Sequence, residues 1–197
     1  MTEAVQGRTF HDEDRYAEDL GGDVYIDCAF RGVDLTESFG AGTVFTECIF
    51  DDTRFNVARY TGSAFTNCVF RNCNFFDAEF TDCRILGSTF TASTLRPMKM
   101  LGGDWSLTDL RGADLRGSAF QGVRLREADL TGANCSDAVF GDVDLSGAML
   151  TDASFARTDL RGSDLSSFDP HIVELAGAVI TSDQAQVIVA ALGLDVR

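Results

Sequence analysis

The sequence predicts an all-β solenoid with four sides to each coil, closed at its C-terminal end by one short helix. Three observations carry this expectation. Every fifth residue from 25 to 165 is bulky: these 29 positions hold 12 Phe, 10 Leu, 2 Tyr and one each of Trp, Ile, Met, Cys and Gly. Two residues earlier, 27 of the 29 are Ala, Cys, Ser, Thr, Val or Gly, with Asp23 and Met98 the exceptions. Two residues later come 11 Gly, 10 Asp or Glu and 2 Asn, most of which suit turns or solvent.

A period of five is neither the 3.6 of a helix nor the 2 of a long strand. It points two residues inward, at i−2 and i, and then turns a corner. Four sides close a square, so one coil takes 20 residues, and successive coils stack at about 4.8 Å. Segments such as Ala113-Asp114-Leu115-Arg116-Gly117 show the pattern: the bulky residue fills the interior and the small one leaves room near the wall.

Residues 1–22 follow the pattern poorly. Phe10 and Leu20 keep phase, but Arg15 stands at a central position, and Arg8 and Glu18 at small ones. This stretch reads as an irregular N-terminal segment and first coil, with a solvated run His11-Asp12-Glu13-Asp14. The solenoid proper is expected over residues 23–180. Within it, Leu95-Arg96-Pro97-Met98 is an interruption: Pro97 removes a backbone donor and Met98 overfills a small slot, yet Met100 and Trp105 stay in phase. A kink or a locally different wall is expected there. Asp169-Pro170 breaks the repeat, and Ala178-Val179-Ile180 resumes it once.

Residues 181–197 form the last segment. Thr181 and Gln184 are spaced for a capping box, so a helix is expected from about 183 to 192, stopping at Gly193. Its sequence is apolar on nearly every side, which calls for two partners. One is the open end of the coil stack. The other is the same helix in a second subunit, through Val187, Ile188, Val189, Ala191 and Leu192.

Composition narrows the function. With 31 acidic and 16 basic residues the formal net charge is −15, and the sequence pI is about 4.3. Direct attraction to nucleic acid or to an anionic membrane is excluded as a binding mode. Nothing in Met1–Gly7 marks the chain for export. Cys28, Cys48, Cys68, Cys73 and Cys83 occupy small inward slots and Cys135 a central one. They read as reduced, buried residues, not as disulfides or a metal site, and fit a cytoplasmic location. No catalytic residue, cofactor or metal is expected: His11 and His171 have no evident nucleophile beside them, and no phosphate-binding loop occurs.

The outward i−1 position holds the more informative signal. In the second half it carries Asp104, Asp109, Asp114, Asp129, Asp144, Asp159 and Asp164; in the first, apolar columns Val24/Val44/Ala64 and Ala29/Ile49/Val69. The acids read either as a solubilising face or as an ordered anionic surface. Coils stacked at about 4.8 Å make a rod of roughly 40 Å, and a tail-to-tail dimer of roughly 80 Å. Such a dimer carries about one net negative charge per 2.7 Å, against about one per 1.7 Å for duplex DNA.

These repeats resemble the pentapeptide-repeat family, whose consensus is Ala-(Asp/Asn)-Leu-x-x with Phe-centred variants. The resemblance covers about residues 23–180 and implies a right-handed quadrilateral β-helix. Within the family the chain is similar to the Qnr and MfpA type of fluoroquinolone-resistance proteins, which bind DNA gyrase in place of DNA. The acidic faces, unbroken phase, Leu95-Arg96-Pro97 interruption and apolar terminal helix carry that likeness. It implies a gyrase or type II topoisomerase partner, alongside the homodimer expected from the terminal helix and the absence of a catalytic residue pattern. Drug resistance, immunity to a gyrase-directed toxin and regulation of the enzyme all remain open. So do two other readings: a scaffold binding another protein, for instance through the Val24/Val44 and Ile49/Val69 columns, and a carbohydrate-active or metal-binding β-helix.

Overall fold

Residues 4–194 are described by the computed structural model, so the outermost residues of both terminal segments fall outside the described residues. The chain winds as a quadrilateral parallel β-helix. On the first face Val5–Gln6, Val24–Ile26, Val44–Thr46 and Ala64–Thr66 pair in parallel, and single bridges continue through Arg84, Asp104, Arg124 and Asp144. The second face runs from Thr9–His11 through Ala29–Arg31, Ile49–Asp51 and Val69–Arg71 to Thr89–Thr91. The third is bridges alone, beginning Asp14–Asp34–Arg54–Asn74. The fourth runs from Phe39–Ala41 to Val139–Gly141. Each residue pairs with the one 20 positions on, as in Phe50 with Phe70. The ladder stays regular where only single bridges remain: on the first face Phe65 N–H donates to the Arg84 carbonyl at 2.7 Å, and Arg84 N–H to that of Ser63 at 2.8 Å.

The 20-residue register turns the sequence pattern into columns of side chains. Phe10, Phe30, Phe50, Phe70 and Phe90 stack in one file with ring centroids 4.7–4.9 Å apart. A second file stacks Tyr25, Phe45 and Phe65, and its Tyr25 and Phe45 meet the first edge-on. Both contact modes are favoured by the ring quadrupole. The small slot favours Cys, Ser and Thr because its side chain lies under a carbonyl 23 residues back. Thr43 Oγ1 donates to the Leu20 carbonyl at 2.8 Å and Ser88 Oγ to that of Phe65 at 2.8 Å. The Cys48 thiol lies 3.5 Å from the Tyr25 carbonyl. All six cysteines are buried and unpaired. Burial pushes Cys73 up to about 12 and Cys83 to about 11.

The corners explain the third sequence observation. Among the described residues, all 18 non-glycine residues with positive φ, such as Asp27, Glu47, Val57 and Leu107, stand two positions after an inward residue, between 51° and 61°. The corner requires the left-handed region, which Asn, Asp and Gly tolerate best.

Residues 5–22 form a regular coil, unlike the irregular segment expected. Val5, Thr9, Asp14 and Asp19 pair with Tyr25, Ala29, Asp34 and Phe39. The charged residues at its inward positions are the lid of the stack. The Arg8 and Arg15 guanidinium carbons lie 4.5 and 4.8 Å from the Phe10 ring centroid. Glu13 pairs with both arginines and Glu18 with Arg15. A first coil has a neighbour on one side only, so its inward positions can hold guanidiniums that lie on the Phe10 ring and pair with Glu13 and Glu18.

The Pro97 interruption keeps phase and both neighbouring strands of the fourth face: Lys99–Leu101 pairs with Glu79–Thr81 and with Ala119–Gln121. Only the third face opens. Its bridges run from Asp14 to Thr94 and resume at Asp114, with no Thr94–Asp114 rung among the described residues. Near the C-terminus the repeat resumes earlier than expected. Phe168 and Val173 are buried, and Glu174 and Val179 bridge back to Ser154 and Asp159. The helix spans Ser182–Ala191, with Thr181 and Gln184 forming the capping box.

Candidate functional site: the acidic outer surface and the terminal helix

The seven aspartates at i−1 point outward, and each folds back on its own corner. In all seven, Oδ1 accepts the backbone N–H two residues on: Ser106 for Asp104, Arg111 for Asp109, Arg116 for Asp114, Thr131 for Asp129, Ser146 for Asp144, Arg161 for Asp159 and Ser166 for Asp164. This is an Asx-type turn. It supplies an acceptor for a corner N–H.

Three of the seven are also held by a fork of two hydrogen bonds. Arg111, Arg116 and Arg161 each donate through Nε and Nη2 to the aspartate two residues before, at 2.6–2.9 Å. These forks hold Asp109, Asp114 and Asp159 below the ordinary carboxylate range, with partial burial opposing. At Asp104 and Asp144 partial burial pulls upward, but hydrogen bonds from Ser106 and Ser146, with arginines nearby, leave both lowered. Asp129 lies 3.5 Å from Arg111 Nε. Asp164 alone of the seven has no arginine or lysine partner among the described residues.

The fold does not bring the seven to one face. Asp104, Asp144 and Asp164 belong to the first face, Asp109 and Asp129 to the second, Asp114 to the third and Asp159 to the fourth. On the first face Arg124 stands between Asp104 and Asp144 in the ladder. The carboxylates free of ion pairs among the described residues include the exposed corner acids Asp27, Glu47, Asp52, Asp82, Glu127, Asp142 and Asp152. In the sequence their i+2 position marks them as residues that suit turns or solvent, not as binding residues. The signal that could have separated the two groups is the triplet Asp-Leu-Arg at 109–111, 114–116 and 159–161, which puts a guanidinium within reach of each aspartate.

The helix docks by one side. Gln184 is buried, and its Nε2 donates to the Leu160 and Ser163 carbonyls at 2.7 and 2.8 Å, satisfying acceptors at the end of the stack. Ile188 packs against the protein's own core, and Val189 is half-buried. Val187, Ala191 and Leu192 are exposed, as are Ala190 and Leu194.

The apolar columns Val24/Val44/Ala64 and Ala29/Ile49/Val69 are half-buried within two flat sheet faces. Among the described residues no group of three His, Cys, Asp or Glu side chains could hold a metal ion. No helix among them is long and apolar enough to cross a membrane.

The family of pentapeptide repeats matches residues 108–147 and 128–166. That is the leucine-centred part of the chain, where Ala-Asp-Leu recurs; the phenylalanine-centred part lies before it. No curated protein matches the sequence. Among solved structures, full-length QnrB1, a plasmid-mediated fluoroquinolone resistance protein, aligns with a TM-score of 0.81 at 20% identity, over 98% of this chain and 100% of that one. A trypsin-treated variant of QnrB1 gives 0.76 at 24% identity, over 100% of this chain and 99% of that one. At such identities the likeness is one of fold.

Proposed function

We propose that this chain, a pentapeptide-repeat protein with the fold of QnrB1, binds DNA gyrase or another type II topoisomerase in place of DNA. It would thereby modulate the enzyme, or protect it from quinolones or from a gyrase-directed toxin. It acts as a binding protein in the cytoplasm, without catalysis of its own.

The observation that carries the reading is a net charge of −15 on a rod of unbroken register, with unpaired carboxylates at repeated corners. A corner acid stands clear of the wall and is free to meet a basic channel. The aspartates Asp109, Asp114 and Asp159 are instead tied to their own corners by the arginine two residues on. A homodimer through the exposed side of the terminal helix, around Val187 and Leu192, places the C-terminal coils at the centre of the assembly. Glu127, Asp142, Asp152 and Asp164 then lie on its central part.

Gyrase supercoiling with purified protein, with and without a quinolone and across salt concentrations, tests the proposal. Binding should compete with DNA and weaken as salt rises. The variant Glu127→Gln, Asp142→Asn, Asp152→Asn and Asp164→Asn should raise the concentration needed for the effect at least tenfold while the rod stays folded. Equal potency of that variant overturns charge mimicry.

A further inference from the structure

Aromatic residues are almost wholly interior in this fold, and the exceptions share one edge. Tyr16, Phe39 and Phe76 are 54%, 45% and 50% exposed, the large exposed aromatics of the described residues. Tyr16 and Phe76 follow inward positions of the third face and Phe39 precedes one of the fourth, so all three flank the corner between those faces. Tyr16 and Phe39 stand on adjacent coils and Phe76 two coils further on; exposed aromatics gathered on one edge of a rod this acidic mark a contact surface.

At the N-terminal end of this edge the aromatics stand among carboxylates. Ala17 N–H donates to the Thr36 carbonyl at 2.9 Å, which sets Tyr16 beside Glu37 one coil on. The Glu37 carboxylate holds the Tyr16 phenol above its ordinary pKa. Phe39 follows Glu37 by two residues and pairs in the ladder with Asp19. Asp19 lines a groove of about 350 Å³ with Phe39, and the small residues Gly21, Gly40 and Ala41 help line it. Neither Asp19 nor Glu37 has an ion-pair partner among the described residues. Arg59, which follows Phe39 in the ladder, bounds the groove on the next coil.

We propose that this corner of the first two coils is a docking site for a segment of a partner protein that carries a basic side chain beside an apolar one. The cation is received by Asp19 and Glu37 and by the faces of Tyr16 and Phe39, and the apolar side chain by the groove. Carboxylate and ring face both favour a guanidinium or ammonium. Arg59 turns the same cation away from the third coil, which fixes where along the edge it sits. The site lies at the end of the rod away from the terminal helix and does not rest on the topoisomerase reading.

The test is a titration of the full-length protein, observed by amide chemical shifts, with three 12-residue peptides: alternating Arg and Leu, alternating Arg and Ser, and alternating Glu and Leu. The Arg/Leu peptide should shift the amides of Ala17, Gly21, Glu37 and Ala41. It should bind at least tenfold more tightly than Arg/Ser, and Glu/Leu should not bind. Tyr16→Ser with Phe39→Ser, two exposed positions, should lower Arg/Leu affinity at least tenfold. Asp19→Asn with Glu37→Gln, which keeps the aromatic surface, should lower it similarly. Unchanged affinity in either variant, equal binding of Arg/Leu and Arg/Ser, or shifts confined to the corner acids of later coils overturns the proposal.

Discussion

Arg96 Nε stands 2.7 Å from Asp114 Oδ2, across the one rung missing within the third face among the described residues. Asp114 also receives the Arg116 fork, so two guanidiniums meet one carboxylate where the backbone ladder is open. In a regular coil the Leu95 N–H would donate to the Asp114 carbonyl, as Phe75 N–H does to that of Thr94 at 2.8 Å. Native-state hydrogen exchange should therefore find the Leu95 amide about 100-fold faster than those of Phe75 and Leu115, since opening energies track local pairing. Arg96→Ala should lower stability by no more than about 1 kcal/mol, as exposed ion pairs do. Equal protection of Leu95 and Phe75 would show that the opening is closed in solution.

The arginine-held aspartates give stability a defined acid limit. Asp109, Asp114 and Asp159 lie below the unfolded-chain value, which is about 3.9. Their contribution is complete above that value and is lost as pH falls through the depressed folded values. A variant with all three changed to Asn keeps a carbonyl acceptor for the corner N–H but lacks the charge. Its melting temperature should lie below that of the parent at pH 7, and the gap should narrow as pH falls below the unfolded-chain value. A gap independent of pH would assign the effect to the turns alone.

Leu107 has φ of 60° and is 54% exposed, so it bears the strain of a left-handed corner with little burial in return. Leu107→Gly should stabilise the protein by about 1 kcal/mol. Gly132→Ala is the converse: φ is 67° and an added Cβ meets nothing within 4 Å, so the loss, about 1 kcal/mol, would be conformational. Urea unfolding of both variants measures the pair, and shifts of the same sign would rule out corner strain as the cause.

Val187 is 41% exposed on the undocked side of the helix, whereas Ile188 packs on the core. Val187→Asp should leave a folded chain whose mass by light scattering is that of a monomer, with the Gln184 anchor intact. Ile188→Asp should instead lower the melting temperature. A Val187→Asp protein that remains dimeric would reduce the helix to a cap.

The sequence made the architecture legible because a single period controls it. Phe45 or Leu125 cannot leave its column without exposing a large apolar side chain. The Thr181–Gln184 box was readable for a similar reason, since spacing alone defines it. Harder to read were places where one residue type has two uses. Arg15 at an inward position suggests irregularity, until the end of the stack supplies a ring on which its guanidinium can lie. Asp109 and Asp142 are both outward acids, yet one is clamped by Arg111 and the other stands at a left-handed corner. Face and partner follow from the coil, and the distinction appears only when the 20-residue columns are assembled.

The strict pairing of each residue with the one 20 positions on makes the molecule unforgiving of some changes in length and indifferent to others. Loss of five residues preserves the inward pattern and hence the core, but turns everything beyond it by a quarter of the perimeter, joining Phe39's face to Val44's. Loss of twenty restores every alignment and leaves only a shorter object. A recogniser that grips two distant points therefore reads both a height, counted in coils, and an angle, counted in quarters.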